Sequence, residues 1–302
     1  MELVPSAPLS SGPLQSPLLD GVDYAATEYM LGIDEAGRGP VLGPLVYGCA
    51  FCPVSQEPRL RKMGFMDSKV LTEEKRDALW AAMQDRGTNG FLGWDIAVIS
   101  AEEISKQMLS TNRRSLNALS FDAAIGLIRA VLERGVHVTQ VFVDTVGDAA
   151  VYQERLERLF PQCAITVAPK ADSKYPIVSA ASICAKVPRD ELTRAWQFVE
   201  AGGSLDRAYG SGYPADEETK AWLARSCDPV FGLPRFARFS WSTTQQLLKE
   251  RAVAVAWPDD EEGGPSQSKM GAYFHKPGDK RATTARHRLF KRSKLHLVKE
   301  LR

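Results

Sequence analysis

The sequence predicts an α/β fold, a mixed sheet flanked by helices with a small helical extension at its C-terminal side. Three observations lead to that class. Short apolar runs of strand length recur between glycine- and proline-rich turns. The segment 115–133 carries apolar residues at 116, 119, 124, 127, 128, 131 and 132, the spacing of one helical face. Strand-like and helix-like segments are mixed in order over about residues 28 to 230, as in a layered α/β domain.

Taken in order, residues 1–26 are rich in Pro, Ser and Gly and lack periodicity, so a disordered leader is expected there. A first strand runs from Glu28 to Ile33 and ends at Asp34. A second, Leu45 to Phe51, is entered through the turn Gly37 to Pro44, and Trp94 to Ile99 forms a third. The helix over 115–133 is closed by Gly135, the residue type that tolerates the left-handed conformation at a helix end. Val138 to Val143 is a strand that again ends at an acid, Asp144. A helix over Ala149 to Leu159, a strand over Ala164 to Ala168 and a long helix from Pro176 follow. The pattern breaks at Gly232-Leu233-Pro234, and a short helix follows around Thr243 to Val255. The expected domains are therefore the leader 1–26, a catalytic domain 27–230, a helical extension 231–257 and a charged, disordered tail 258–302.

Composition narrows the class without naming a partner. With 302 residues, 44% hydrophobic and 25% charged, the chain can bury an ordinary core. No run approaches the roughly 18 apolar residues of a membrane span, and the N-terminus lacks the basic and apolar regions of a secretory signal. Five scattered cysteines (Cys49, Cys52, Cys163, Cys184, Cys227) argue for a reduced, intracellular protein. Cys49 and Cys52 form a CxxC without a second pair, which fits strand packing better than a zinc site. Net charge is +1, but Lys276 to Arg302 holds ten basic residues against two acids. That block reads as a solvated tail or, alternatively, as a nuclear-localisation or nucleic-acid-contacting segment.

The chemistry lies in the acids at strand ends. Ligands bind open α/β sheets beyond the ends of strands, and an acid within an apolar run is costly to bury without a partner. One such acid is commonly a helix cap or ion-pair member; several suggest a cation between them. Asp34, Glu35, Asp144 and Asp172 form the candidate set. Oxygen donors without accompanying Cys or His suit Mg²⁺ or Mn²⁺ rather than Zn²⁺. Two such ions about 4 Å apart would relieve the repulsion and stabilise both oxygens of an in-line phosphoryl displacement. The turn Gly37-Arg38-Gly39 beside the first two acids allows close backbone approach to a ligand. Its spacing misses the dinucleotide fingerprint, leaving a tight strand connection as the other reading.

These residues also carry a family resemblance. The run Leu31 to Pro44, with Asp34-Glu35 and Gly37-Arg38-Gly39 inside it, resembles the signature of the type 2 ribonuclease H family. Further matches are Asp67-Ser68-Lys69, Val141-Phe142-Val143-Asp144, the segment Lys170 to Lys186 containing Asp172, and Tyr209-Gly210-Ser211-Gly212-Tyr213-Pro214. The resemblance implies a ribonuclease-H-like sheet and endonucleolytic cleavage 5′ of a ribonucleotide, leaving a 3′-OH and a 5′-phosphate. The implied substrates are RNA–DNA hybrids and single ribonucleotides in duplex DNA, with roles in ribonucleotide removal and Okazaki-primer removal. It implies that Asp34, Glu35, Asp144 and Asp172 hold two divalent metal ions, Mg²⁺ or Mn²⁺. By the same resemblance Gly37, Arg38 and Gly39 recognise the 2′-OH and its phosphates, and Tyr213 contacts that hydroxyl and stacks on the next sugar. Length and C-terminal extension resemble the family's eukaryotic catalytic subunits, which implies a heterotrimer with two accessory subunits (B and C); a nuclear location is expected with the basic C-terminal block.

A backbone-rich loop suits 2′-OH readout, since that group distinguishes RNA from DNA. Lys69, Asn112, Arg113, Lys186 and Arg189 are candidate phosphate contacts, binding without reading sequence; Asn112 and Arg113 read equally as a polar helix entry. Asp67 reads as a capping residue or as one that supports the metal-binding acids without being one of them. Pro188, inside the long helix, should make that helix restart or bend, which bears on the aim of Arg189. Aromatics between Phe231 and Trp241 suit either a partner interface or packing on the catalytic domain. Rival readings are another two-metal nuclease on a similar scaffold and a non-catalytic nucleic-acid-binding protein.

Overall fold

A computed structural model describes residues 12–65, 70–200 and 205–254. Its strands are β1 (Gly12–Gln15), β2 (Tyr29–Ala36), β3 (Leu45–Pro53), β4 (Gly93–Ile99), β5 (Val138–Asp144) and β6 (Ala164–Ala168). They form one sheet in the order β1-β4-β3-β2-β5-β6. The pairs β1–β4, β4–β3 and β3–β2 are antiparallel, while β2–β5 and β5–β6 are parallel, so the sheet is mixed. The helices are α1 (Glu57–Lys62), α2 (Glu73–Gln84), α3 (Arg86–Asn89), α4 (Ala101–Leu109), α5 (Leu116–Glu133), α6 (Ala149–Leu159), α7 (Ala171–Lys174), α8 (Pro176–Arg194), α9 (Glu217–Arg225) and α10 (Ser242–Arg251).

Both faces of the central strands are covered, which is why β3 is a continuous apolar run rather than an alternating one. Leu45, Tyr47, Cys49 and Phe51 pack with α5 and α6 on one face. Val46, Ala50 and Cys52 pack with α8 and α2 on the other. Cys49 and Cys52 thus point to opposite faces and cannot converge on one ion; all five cysteines are free. Helix α8 lies close against β2 and β3 because Gly32 and Gly48 leave room: a Cβ there would come within 2.4 Å of Ile177 O and 2.6 Å of Ala181 O. Helix α5 begins at Ser115, whose side chain accepts from Ala118 N, and ends before Gly135 at φ 83°.

Two boundaries differ from expectation. The leader is ordered from Gly12 onward: β1 pairs with β4, Ser16 exchanges hydrogen bonds with Trp94, and Arg134 donates to Ser16 O at 2.6 Å. A proline- and glycine-rich strand has little apolar periodicity of its own, so only its partner reveals it. Residue 230 is likewise no domain boundary. Leu233, Phe236 and Ala237 share a core with Val41, Leu42 and Trp222, and Ala237 bridges to Leu42. The expected tail 258–302 lies outside the described residues. Helices α2, α4 and α9 go beyond what the sequence pattern predicts; α2 buries only Trp80 and Met83, too few for a visible stripe. No described helix is long and apolar enough to cross a membrane.

Candidate active site

Parallel pairing brings the first two acids side by side. Ile33 pairs with Val143 across β2 and β5, so Asp34 and Asp144 occupy the next positions of adjacent strands. Asp144 pairs in turn with Ala168 at the end of β6, from which the chain runs into α7. The amide of Ala171 donates to Asp144 Oδ1 at 2.8 Å, fixing that carboxylate against the start of α7. Lys170, with φ 54°, makes the left-handed turn that aims α7 back over the sheet. Asp172 is buried on α7, and the Ser179 hydroxyl holds its carbonyl at 2.5 Å. A cavity of about 450 Å³ opens beside Asp172, lined also by Arg61, Phe65, Lys174 and Ser179.

Strand geometry separates Asp34 from Glu35. Successive side chains of a strand point to opposite faces. Asp34 faces α8, where Ser182 hydrogen-bonds to it, while Glu35 lies on the α5/α6 face, where its charge acts on Tyr47 and Tyr152. Burial pushes the Asp34 carboxyl well above the usual carboxylate range, and the charges of Glu35 and Asp144 push it further. Hydrogen bonds from Ser182 and from the Glu35 amide, at 2.8 Å, oppose the rise. No cation figures among these influences. Among the described residues no three His, Cys, Asp or Glu side chains are gathered tightly enough to share an ion as they stand. The donor set fits a hard divalent cation: carboxylate oxygens only, one of them buried beside two like charges.

The glycine turn lies directly beyond β2. Gly37 has φ 84°, and a Cβ there would also lie 2.5 Å from Pro44 O. A Cβ on Gly39 would stand 3.1 Å from the Tyr213 ring, so glycine lets that ring close over the backbone. Arg38 reaches across to α5, donating to Ser120 Oγ at 2.7 Å and to Asn117 Oδ1. The ring of Tyr213 is half exposed, and its loop is tied to the turn where Val41 N donates to Gly212 O at 2.8 Å. Asp216 braces the loop by accepting from Ser211, which holds its carboxyl down at about 2.

The other expected contacts are scattered. Asn112 and Arg113 are exposed in the turn before α5. Lys186 pairs with Asp190 at 2.8 Å. Arg189 is buried at 8% exposure and turns toward the glycine loop, reaching Leu42 O at 3.5 Å, so it stands beneath the loop rather than at a surface open to phosphate. Lys69 and Asp67 lie outside the described residues. Helix α8 neither stops nor restarts at Pro188 but runs unbroken through it, the proline itself being buried. Burial of its ring among apolar neighbours offsets the missing backbone hydrogen bond.

Ser182 at Asp34 lies inside the Lys170–Lys186 run without being singled out there, while Ser120 and Asn117 at Arg38, and above all Arg238, carry no motif in the sequence. Arg238 is fully buried and donates to Gly43 O at 3.0 Å, Arg38 O at 3.0 Å and Gly37 O at 2.5 Å. Its one signal is a lone arginine inside the apolar stretch Phe236 to Phe239.

Comparison with known proteins agrees with this geometry. The ribonuclease HII family model matches residues 31–244. The chain is 52% identical over 246 residues to the A subunit of ribonuclease H2 from Bos taurus, covering 81% of this chain and 82% of the relative. It is 49% identical over 262 residues to the A subunit of ribonuclease H2 from Homo sapiens, covering 86% and 87%. The fold is similar to the crystal structure of ribonuclease H2 from Pyrococcus horikoshii OT3, with a TM-score of 0.60, 30% identity and coverage of 74% of this chain and 98% of that one. With most of its length matched and its acids set at adjoining strand ends, the chain belongs to the ribonuclease HII family of type 2 ribonucleases H, and is an endonuclease of that family.

Proposed function

We propose that the chain is the catalytic component of a heterotrimer that cuts the RNA strand of RNA–DNA hybrids and incises 5′ of single ribonucleotides in duplex DNA. The products are a 3′-OH and a 5′-phosphate, and the roles are ribonucleotide removal from DNA and Okazaki-primer removal. The observation that carries this reading is the placement of Asp34 and Asp144 side by side, one turn away from the Gly37-Arg38-Gly39 loop and Tyr213. Asp34, Glu35, Asp144 and Asp172 are the residues that would hold two divalent ions, Mg²⁺ or Mn²⁺. Such ions, when bound, supply charge neutralisation at the phosphate and acidify a water.

The chain's own groups do the rest. The loop's backbone amides and Tyr213 would recognise the 2′-OH and orient its sugar, holding the scissile phosphate over the carboxylates. Asn112, Arg113 and Lys186, with Lys69, would neutralise flanking phosphates. The relatives are each the A subunit of a larger enzyme, which supports two accessory partners, the B and C subunits, for this chain. The exposure of Val230 and Phe231, at 73% and 87%, supports docking at the C-terminal half. The basic block Lys276 to Arg302 supports a nuclear location.

A duplex carrying one ribonucleotide tests the reading against its all-DNA counterpart, with and without Mg²⁺. Metal-dependent nicking 5′ of the ribonucleotide, and none of the all-DNA duplex, is the expected result. Equal cleavage of both duplexes would point instead to another two-metal nuclease, and metal-independent binding without turnover to a scaffold.

A further inference from the structure

The loop that this reading assigns to ribonucleotide recognition is held from behind by residues about 200 positions later. Arg238 spreads its three nitrogens over three carbonyls: Nη2 to Gly37 O at 2.5 Å, Nη1 to Arg38 O at 3.0 Å and Nε to Gly43 O at 3.0 Å. Trp241 Nε1–H donates to Gly39 O at 3.2 Å, and the Arg238 amide donates to Val41 O at 2.8 Å. The guanidinium also lies over the Trp241 ring, 4.8 Å from its centroid. Thr244 Oγ1 donates to the Arg238 carbonyl at 2.8 Å, anchoring the segment at the start of α10.

These bonds set the direction of the loop's donors. A peptide unit is planar and trans, so a carbonyl and the N–H bonded to the same carbon–nitrogen pair point opposite ways. Capture of Gly37 O and Arg38 O by one buried guanidinium therefore turns the amides of Arg38 and Gly39 away from it. Capture of Gly39 O by Trp241 fixes the plane leading into Pro40, which has no N–H to offer. The geometry points to Arg238 and Trp241 as positioning residues for ribonucleotide recognition, which aim the Arg38 and Gly39 amides at the substrate side of the turn.

A packing role alone accounts poorly for this arginine. Arg238 has no exposed surface, and among the described residues no carboxylate pairs with it. Burying an unpaired guanidinium is costly, and an apolar side chain of similar volume would normally be more stable there. Burial, with Arg189 nearby, lowers its pKa to about 9, so it remains charged at neutral pH despite a second cation. Its compensation comes from the loop carbonyls. Lysine could not replace it, since a single ammonium cannot address three carbonyls in a fixed fork.

The inference rests on the proposed activity, and the test separates the two. Wild type, Trp241→Phe, Arg238→Lys and Arg238→Gln would be compared in the full-length, assembled enzyme. Each would be assayed on a duplex with one embedded ribonucleotide and on an RNA–DNA hybrid, with thermal unfolding measured alongside. Trp241→Phe keeps an aromatic face beside the guanidinium but removes the indole N–H donor and part of the ring; its kcat on the single-ribonucleotide duplex should fall about three- to tenfold. The fall should be smaller on the hybrid, with KM and Tm nearly unchanged. Arg238→Lys should lose roughly tenfold or more on the same substrate, and Arg238→Gln more than that. If the Arg238 variants unfold, Trp241→Phe decides. Wild-type cleavage with the same substrate ratio in Trp241→Phe would overturn the inference alone. A wild type that cuts neither substrate would overturn the functional reading, and the inference with it.

Discussion

The carboxylate of Asp144 accepts the backbone amide of Ala171 at 2.8 Å, joining the end of β5 to the short helix that carries Asp172. This bond uses Oδ1, an atom that asparagine retains. Asp144→Asn should therefore keep the fold, with Tm within a few degrees of wild type, while removing a charge from the metal-binding set. Cleavage should fall by at least about a hundredfold, in line with loss of a group that acts on the reacting centre. Single-turnover assays at saturating Mg²⁺ check this, and near-normal turnover would remove Asp144 from the site.

Asp34 is buried beside two like charges, a state that costs stability in the absence of metal. Asp34→Asn should relieve that cost and stabilise the metal-free protein by about 1 kcal/mol or more, roughly 2–4 °C in Tm. Added Mg²⁺ should raise the Tm of wild type but not of the variant, because the binding free energy adds only to a folded state that holds the ion. Differential scanning fluorimetry with and without Mg²⁺ reads both shifts. An equal Mg²⁺ response in the two proteins would place the ion elsewhere.

Tyr213 stands over Gly39 with half its surface exposed and its backbone braced by the loop around Asp216. Phenylalanine would keep the ring against Gly39 and lose only the hydroxyl. Tyr213→Phe should reduce cleavage at a single ribonucleotide about tenfold, the worth of one hydrogen bond, with a smaller effect on hybrid affinity. Competition between the two substrates in one reaction measures the ratio directly. An unchanged ratio would deny the hydroxyl a part in recognition.

Asp95 gives a pH signature independent of catalysis. Burial raises its carboxyl to about 6, against the opposing pull of Arg134, which donates to it at 2.6 Å. The folded protein thus takes up this proton at higher pH than the unfolded chain does. From this group alone, stability rises as pH falls through about 6 and levels off near the unfolded value of about 4. The stability of wild type minus that of Asp95→Asn should therefore grow by about 1 kcal/mol between pH 7 and pH 5. Urea titrations of both proteins at the two pH values test the sign.

Local pattern was enough to locate β2, β5 and α5, because each is an apolar run or stripe whose period is written into neighbouring residues. The motifs around Asp34, Asp144, Asp172 and Tyr213 were legible for the same reason, as contiguous residue types. What the tertiary structure alone decided is how those pieces face one another. Pairing of Ile33 with Val143 put Asp34 beside Asp144, and the alternation of β2 turned Glu35 to the other face. Strand β1 exists only through β4, and Arg189 points under the loop rather than outward. The clearest case is Arg238, whose fork closes on Gly37 and Arg38 at separations of 201 and 200 residues. No local periodicity encodes a hydrogen bond of that range. It forms because the third core, built from Val41, Leu42, Trp222 and Phe236, draws the two segments together and leaves the guanidinium the loop's carbonyls and the Trp241 ring to satisfy it.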